Sequence, residues 1–289
     1  MAFADAPLYT LEWLVDRTST VYSLPLFYER LNEAINHPRT SIDDIAKIIT
    51  EDQGLTARLL RLANSPLFGW FGRVDSINKA VTIIGTQQLR DLALAASVMG
   101  VFTGIPPELM DMASFWRHSV ACGTLARVLA TWRRETNVER FFVAGILHDV
   151  GQLMMATTIP PVVRELIEQS RADRIPYHLV EQERLGFDHA AAGGALLRSW
   201  KIPANIVDPV TFHHQPARNE QFPLEAAIIH IADLICQAMG YGQTGEWCLP
   251  LLDAAAWDRL GMSPHQMGGI IKQAEPQLEE TFSILAEAS

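Results

Sequence analysis

Apolar positions along this chain recur every three or four residues, and strand-like alternation is scarce. That spacing places apolar side chains on one face of an α-helix and predicts an all-α fold with short connections. Pro25 suits the first turn of a helix running to about Asn36, which His37-Pro38 ends. Ser41 is a good N-cap, with Asp43 and Asp44 at the positive helix end and Ile42, Ile45, Ile48 and Ile49 on one face. A second helix is predicted from about Gln53 to Ala63. Asn64-Ser65-Pro66 closes it, and Phe68, Trp70 and Phe71 read as aromatics pinning a loop to the core. Ser76 caps a helix with Ile77, Ala80, Val81 and Ile84 inward. Gly85 ends it, and Thr86 is predicted to cap the next, Gln87 to about Phe102.

The chain breaks at Gly104-Ile105-Pro106-Pro107, which suggests two packed helical lobes, residues 1–105 and 106–289. The second lobe opens with a predicted helix from about Glu108 to Arg134. Asn137 reads as the cap of the next helix and Pro160-Pro161 as the start of another. Tyr177–Leu185 is predicted helical and stopped by Gly186. Asp188 caps a helix at His189, in which Gly193-Gly194 permits close helix contact. Pro203 reads as a turn into His213-His214, and Leu224–Met239 as a helix. Leu249–Leu260 and Ser263–Ala288 complete the set, with Ser263 and Gln266 spaced as a capping box.

One stretch stands apart. Phe141–Gln152, FFVAGILHDVGQ, is an apolar run that ends in His148 and Asp149 and is expected to break at Gly151. Polar side chains buried without partners cost several kcal/mol, about 2–7. The pair is therefore either an ordinary helix end facing water or a pair of metal ligands, for which imidazole and carboxylate are suited.

Composition narrows the context. Hydrophobic residues make up 48% of 289, enough for a large core. The net charge of −10 argues against general nucleic-acid affinity, which needs a basic surface. The apolar stretches are too short for a membrane span, and the first residues lack the pattern of a secretory signal. Cys122, Cys236 and Cys248, without CxxC spacing, read as buried thiols in a reducing cytoplasm.

The histidines carry the candidate chemistry. His118, His148, His189, His213, His214 and His230 each sit at an end or on a face of a predicted apolar helix, accompanied by Asp149 and Asp233. Singly, each reads as a core or surface histidine. Together they form a donor set that facing helices of a bundle could bring around a divalent metal.

The order His118, His148-Asp149, Asp233 on a helical chain resembles the HD superfamily of metal-dependent phosphohydrolases. His189 and the pair His213-His214 resemble the extra ligands of HD-GYP enzymes. LPLFYERLNEAI, DQGLTARLLRLANSPLFG and SINKAVTIIGTQQLRDLAL in the first lobe resemble the HDOD domain, from about Leu24 to about Pro216. The resemblance implies a second lobe that is an HD-type bundle and a bacterial signalling role, standing alone or acting beside a partner domain. A signalling protein or a nucleotide is the implied partner. It also implies a site for Fe, Mn, Zn or Mg. His118, His148, Asp149 and Asp233 would hold a first ion, and His189, His213 and His214 a second, with Asp149 able to bridge. His148 and Asp149 would occupy the catalytic position. His230 reads as a core histidine or one that orients Asp233, and Arg117, Arg198 and Lys201 as phosphate contacts or solvated helix-face charges. Two departures weigh against cyclic di-GMP hydrolysis: Gln152 replaces a lysine, and residues 217–223 replace the GYP loop. A working phosphohydrolase and a purely structural adaptor stay as alternatives.

Overall fold

The computed structural model describes residues 9–21, 26–65, 73–102, 104–242 and 248–286. Pro25 and the aromatics Phe68, Trp70 and Phe71 lie outside them. Among the described residues every regular element is helical. The order is α1 (Leu11–Val21), α2 (Leu26–Asn36), α3 (Ile42–Thr50), α4 (Gln53–Ala63), α5 (Ile77–Ile84), α6 (Thr86–Val101), α7 (Met112–Trp132) and α8 (Glu139–Leu147). There follow α9 (Val150–Thr158), α10 (Pro160–Asp173), α11 (Tyr177–Leu185), α12 (His189–Ser199), α13 (Ala204–Phe212), α14 (Pro223–Ala238), α15 (Ala254–Leu260) and α16 (Pro264–Ala286).

Local chemistry accounts for most boundaries. Ser41 and Asp44 form a reciprocal capping box at α3, as do Ser263 and Gln266 at α16. Ser76 caps α5, Asp188 caps α12, and Gly186 ends α11 in the left-handed conformation. Asn64 closes α4 by bonding Val74 in both directions, at 2.7 and 2.8 Å.

Several boundaries differ from expectation. Thr86 is the first residue of α6, and the cap position belongs to Gly85 at φ 94. Asn137 does not cap α8; it adopts φ 50, and Val138 holds the cap position. The helix expected from Glu108 begins at Met112, because Asp111 accepts from the Ala113 N–H at 3.0 Å and Pro106 directs a separate turn. The turn expected after Pro203 is helix α13. Pro203 precedes it at the cap position and Pro209 lies inside it, yet Ile206, Val207 and Val210 bury one face of it. Leu249–Leu252 is not helical; α15 starts after Asp253, its N-cap. Cys122 and Cys236 are buried, whereas Cys248 is partly exposed.

Helices α2 to α6 pack on one another, and α6 meets α8. Around α7 and α14 lie α8, α13, α15 and α16, while α9 packs on α12. Helix α1 lies across α9 and α12, with the Thr18 and Thr158 hydroxyls 3.0 Å apart.

Two close crossings set the positions of α8 and α9. At α7–α8, a Cβ on Gly145 would sit 2.5 Å from the Cα of Gly123. At α9–α12, a Cβ on Gly151 would overlap the His189 carbonyl oxygen and lie 2.6 Å from the Gly193 nitrogen. The break expected at Gly151 is therefore absent. Gly151 lies inside α9, and the chain turns at Asp149 instead. Backbone atoms on the far side cannot yield as a flexible side chain would, so each crossing admits glycine alone.

Gly145→Ala is expected to lower stability by about 1–3 kcal/mol through overpacking. Gly268→Ala, on the exposed surface of α16 with nothing within 4 Å, is expected to raise it by about 0.5–1 kcal/mol. Urea unfolding midpoints of the two variants and wild type check the contrast.

Candidate metal centre

The α8–α9 junction delivers His148 and Asp149 into the interior. His148 follows α8, and Asp149 holds the N-cap position of α9 but makes no cap bond with its side chain. An N-cap Asp ordinarily accepts from the N–H two or three residues on, contributing about 1 kcal/mol. Here the carboxylate turns inward, to imidazoles from α7, α12 and the end of α13.

All seven residues expected to form the site converge, and all but the partly exposed His214 are buried. In a first group, His118 Nε2 lies 3.0 Å from Asp233 Oδ1 and 3.3 Å from His148 Nε2. Asp149 Oδ2 lies 3.3 Å from His148 Nε2 and 3.8 Å from His118 Nε2. In a second group, Asp149 Oδ1 lies 3.1 Å from His189 Nε2 and 3.8 Å from His213 Nε2. His214 Nε2 joins it at 2.9 Å from His189 Nε2. One oxygen of Asp149 thus serves each group.

The outward-facing nitrogens fix the chemistry of the inward ones. Nδ1 of His118 donates to Tyr241 O at 3.2 Å, that of His148 to Gly145 O at 2.7 Å, and that of His213 to Val210 O at 2.8 Å. His189 Nδ1 donates to Glu181 Oε2 at 2.6 Å. With the proton spent outward, each Nε2 presents its lone pair inward, the tautomer a metal ligand needs. Lone pairs and carboxylate oxygens that face one another at these distances require positive charge between them. Two ligands about 2.1 Å from one ion at a tetrahedral angle are about 3.4 Å apart, within the range observed. The donor set fits divalent metal ions, and His213 Nε2 has no hydrogen-bond partner among the described residues.

Where an ion does not supply that positive charge, a second proton on the inward nitrogen does. Burial disfavours charge on His148, but Asp149, Cys122 and Asp233 override it and hold the imidazolium well above the usual range. Burial and then Glu181 and Asp149 act likewise on His189, whose pKa is also raised. Asp149 and Asp233 stay ionised well below the ordinary range despite burial, because histidines surround them. His213 is pushed down to about 3 by burial and by neighbouring His148, so its ring stays neutral.

Other expectations change. His230 does not orient Asp233. Its Nδ1 donates to His213 O at 2.8 Å, and its Nε2 accepts from the Asp253 N–H at 3.0 Å. Residues three apart lie about 60° apart around a helix, and here the two side chains engage different neighbours. Asp233 is held by Gln237 Nε2 at 3.0 and 3.1 Å. Arg117 lies on the surface over the ring of Phe282, Arg198 is exposed beside Asp208 and Thr211, and Lys201 is exposed. None joins the buried cluster. Tyr177, His178 and Glu181 on α11 went unnoticed in the sequence. Tyr177 stacks on His189, and His178 stacks on His214 with ring centroids 4.0 Å apart.

The HDOD domain pattern matches residues 21–216, more than half of the chain. The protein belongs to the HDOD family. An HDOD domain protein from Geobacter sulfurreducens shares the fold, with a TM-score of 0.74 over 96% of this chain and 98% of that one at 24% identity. A Shewanella amazonensis protein named as a candidate phosphohydrolase is 26% identical, with a TM-score of 0.72 over 94% of this chain and 97% of that one. A curated relative from Treponema pallidum (strain Nichols) is 26% identical over 202 residues, 70% of the HDOD chain described here. The chain spans 39% of that relative's length. No described helix is long and apolar enough to cross a membrane.

A ligand that binds only the folded state stabilises it by about 2.7 kcal/mol at 100 times its dissociation constant. Stripping metal with a chelator is therefore expected to lower Tm by about 4–5 °C for a chain of this size. Asp149→Ala should abolish that difference, as scanning calorimetry with and without added Mn(II) checks.

Proposed function

We propose that this HDOD protein is a metal-binding signal-transduction module that acts by binding a protein partner or a nucleotide. The supporting observation is the cluster itself, seven donors with the inward nitrogens set for coordination. A structural adaptor would have no use for an N-cap carboxylate withdrawn from its own helix into a group of imidazoles. His118, His148, Asp149 and Asp233 would hold one ion. His189, His213, His214 and the other oxygen of Asp149 would hold a second, with Fe, Mn, Zn or Mg as candidates. Divalent ions supply Lewis acidity toward water and phosphoryl oxygens.

Two observations favour binding over turnover. The donors are almost wholly buried. Gln152, one turn along α9 from Asp149, is also buried and offers a neutral amide whose two polar atoms lack partners among the described residues. A cation there would hold a phosphate more firmly. The second reading is phosphoester hydrolysis on the same centre. It is favoured by the reach of Asp149 into both groups, the arrangement of a two-ion site, and by the name of the Shewanella amazonensis protein.

Elemental analysis of protein purified without added metal is expected to find one or two transition-metal ions per chain, with His148→Ala and Asp149→Ala losing them. Less than about a tenth of an equivalent, with no uptake of Mn or Fe, would sink the metal centre. The loaded protein is expected to release no phosphate from a panel of nucleotides and cyclic nucleotides. Release that His148→Ala abolishes would establish the hydrolase reading.

A further inference from the structure

The two groups of donors are supported differently from outside. In the first group, the histidine Nδ1 atoms donate to backbone carbonyls of Tyr241 and Gly145. In the second, one helix supplies most of the support. Helix α11 presents Tyr177, His178 and Glu181, spaced one and three residues apart on a single face toward α12 and His214. Glu181 is fully buried and accepts twice on one oxygen, from His189 Nδ1 at 2.6 Å and from the His189 backbone N–H at 2.9 Å. The two bonds clamp backbone and ring of the same residue at the first position of α12. The remaining oxygen, Oε1, has no partner among the described residues. A buried carboxylate held this way is costly unless its charge is offset. A cation held on His189 Nε2, the nitrogen that faces Asp149, would offset it.

Resting on the metal-centre reading, we propose that Glu181 is the positioning residue of the second ion's site. It holds His189 with Nε2 inward and makes that nitrogen a stronger donor, so that the second ion depends on α11 while the first does not. A carboxylate behind a ligating imidazole fixes its tautomer and raises its basicity, and removing such a partner typically weakens metal affinity about 10–100-fold. Glutamine in its place keeps the shape and an acceptor oxygen but removes the negative charge.

The test is titration of metal-free protein with Co(II), reading the visible d–d absorbance and the bound equivalents after gel filtration. Wild type is expected to take up two equivalents in distinguishable steps. Glu181→Gln should retain the first step unchanged and show the second weakened about 10–100-fold, with an altered spectrum for that step. Glu181→Asp, one methylene too short to reach His189, should also weaken the second step alone. Melting curves of the metal-free variants within a few degrees of wild type would show that the loss is not unfolding. Should Glu181→Gln fail to fold, the Asp variant carries the comparison beside Glu183→Gln, which neutralises the exposed glutamate of the same helix and should bind both ions normally. An unchanged second step in both Glu181 variants, or equal weakening of both steps in folded protein, overturns the role of Glu181. Wild type that takes up a single equivalent overturns it too while leaving a metal centre in place. Wild type that takes up none removes the metal reading itself.

Discussion

A single carboxylate set between imidazole nitrogens governs this structure. Asp149 extends one oxygen toward His118 and His148 and the other toward His189 and His213, in an interior shielded from water. Lone pairs that face one another in such a place repel unless positive charge lies between them. The surrounding architecture meets this constraint by fixing the inward nitrogens of His118, His148, His189 and His213 from behind, through a carbonyl or a carboxylate.

The glycine crossings make that arrangement reachable. Gly145 against Gly123 brings α8 onto α7, so that His148 meets His118. Gly151 against Gly193 brings α9 onto α12, so that Asp149 meets His189. Side chains at these crossings would move the helices apart by more than the tolerance of a coordination sphere, about 0.2 Å in bond length. Packing and chemistry are thus joined at the same few residues, two of which lie inside FFVAGILHDVGQ.

Much of this was legible in the sequence. The helical repeat, the caps at Ser41, Ser76 and Asp188, and the ends at Gly186 and Ala63 follow from local rules, which act over a few residues and leave their mark in those residues. Six histidines and two aspartates were legible because polar residues in apolar helices are conspicuous, and the resemblance to HD enzymes singled out seven of them. Glu181 was not. It lies in YHLVEQERL, whose charged residues read as a solvated face, and only the fold shows that one of its two glutamates points inward. His230 misled because helix spacing suggested a partner at Asp233, while the actual partners are backbone atoms of His213 and Asp253, which no side-chain pattern records. Helix α13 was hidden by Pro203, which reads as a turn but precedes a helix held by burial of Ile206, Val207 and Val210.

The uncapped start of α9 sets two demands on one side chain against each other. Aspartate caps a helix as well as Ser or Asn, so the residue type is not what leaves this end open. What leaves it open is the direction of the side chain, turned from the amides of α9 to the imidazoles. One pair of oxygens could finish the helix or finish the cluster, and here it finishes the cluster.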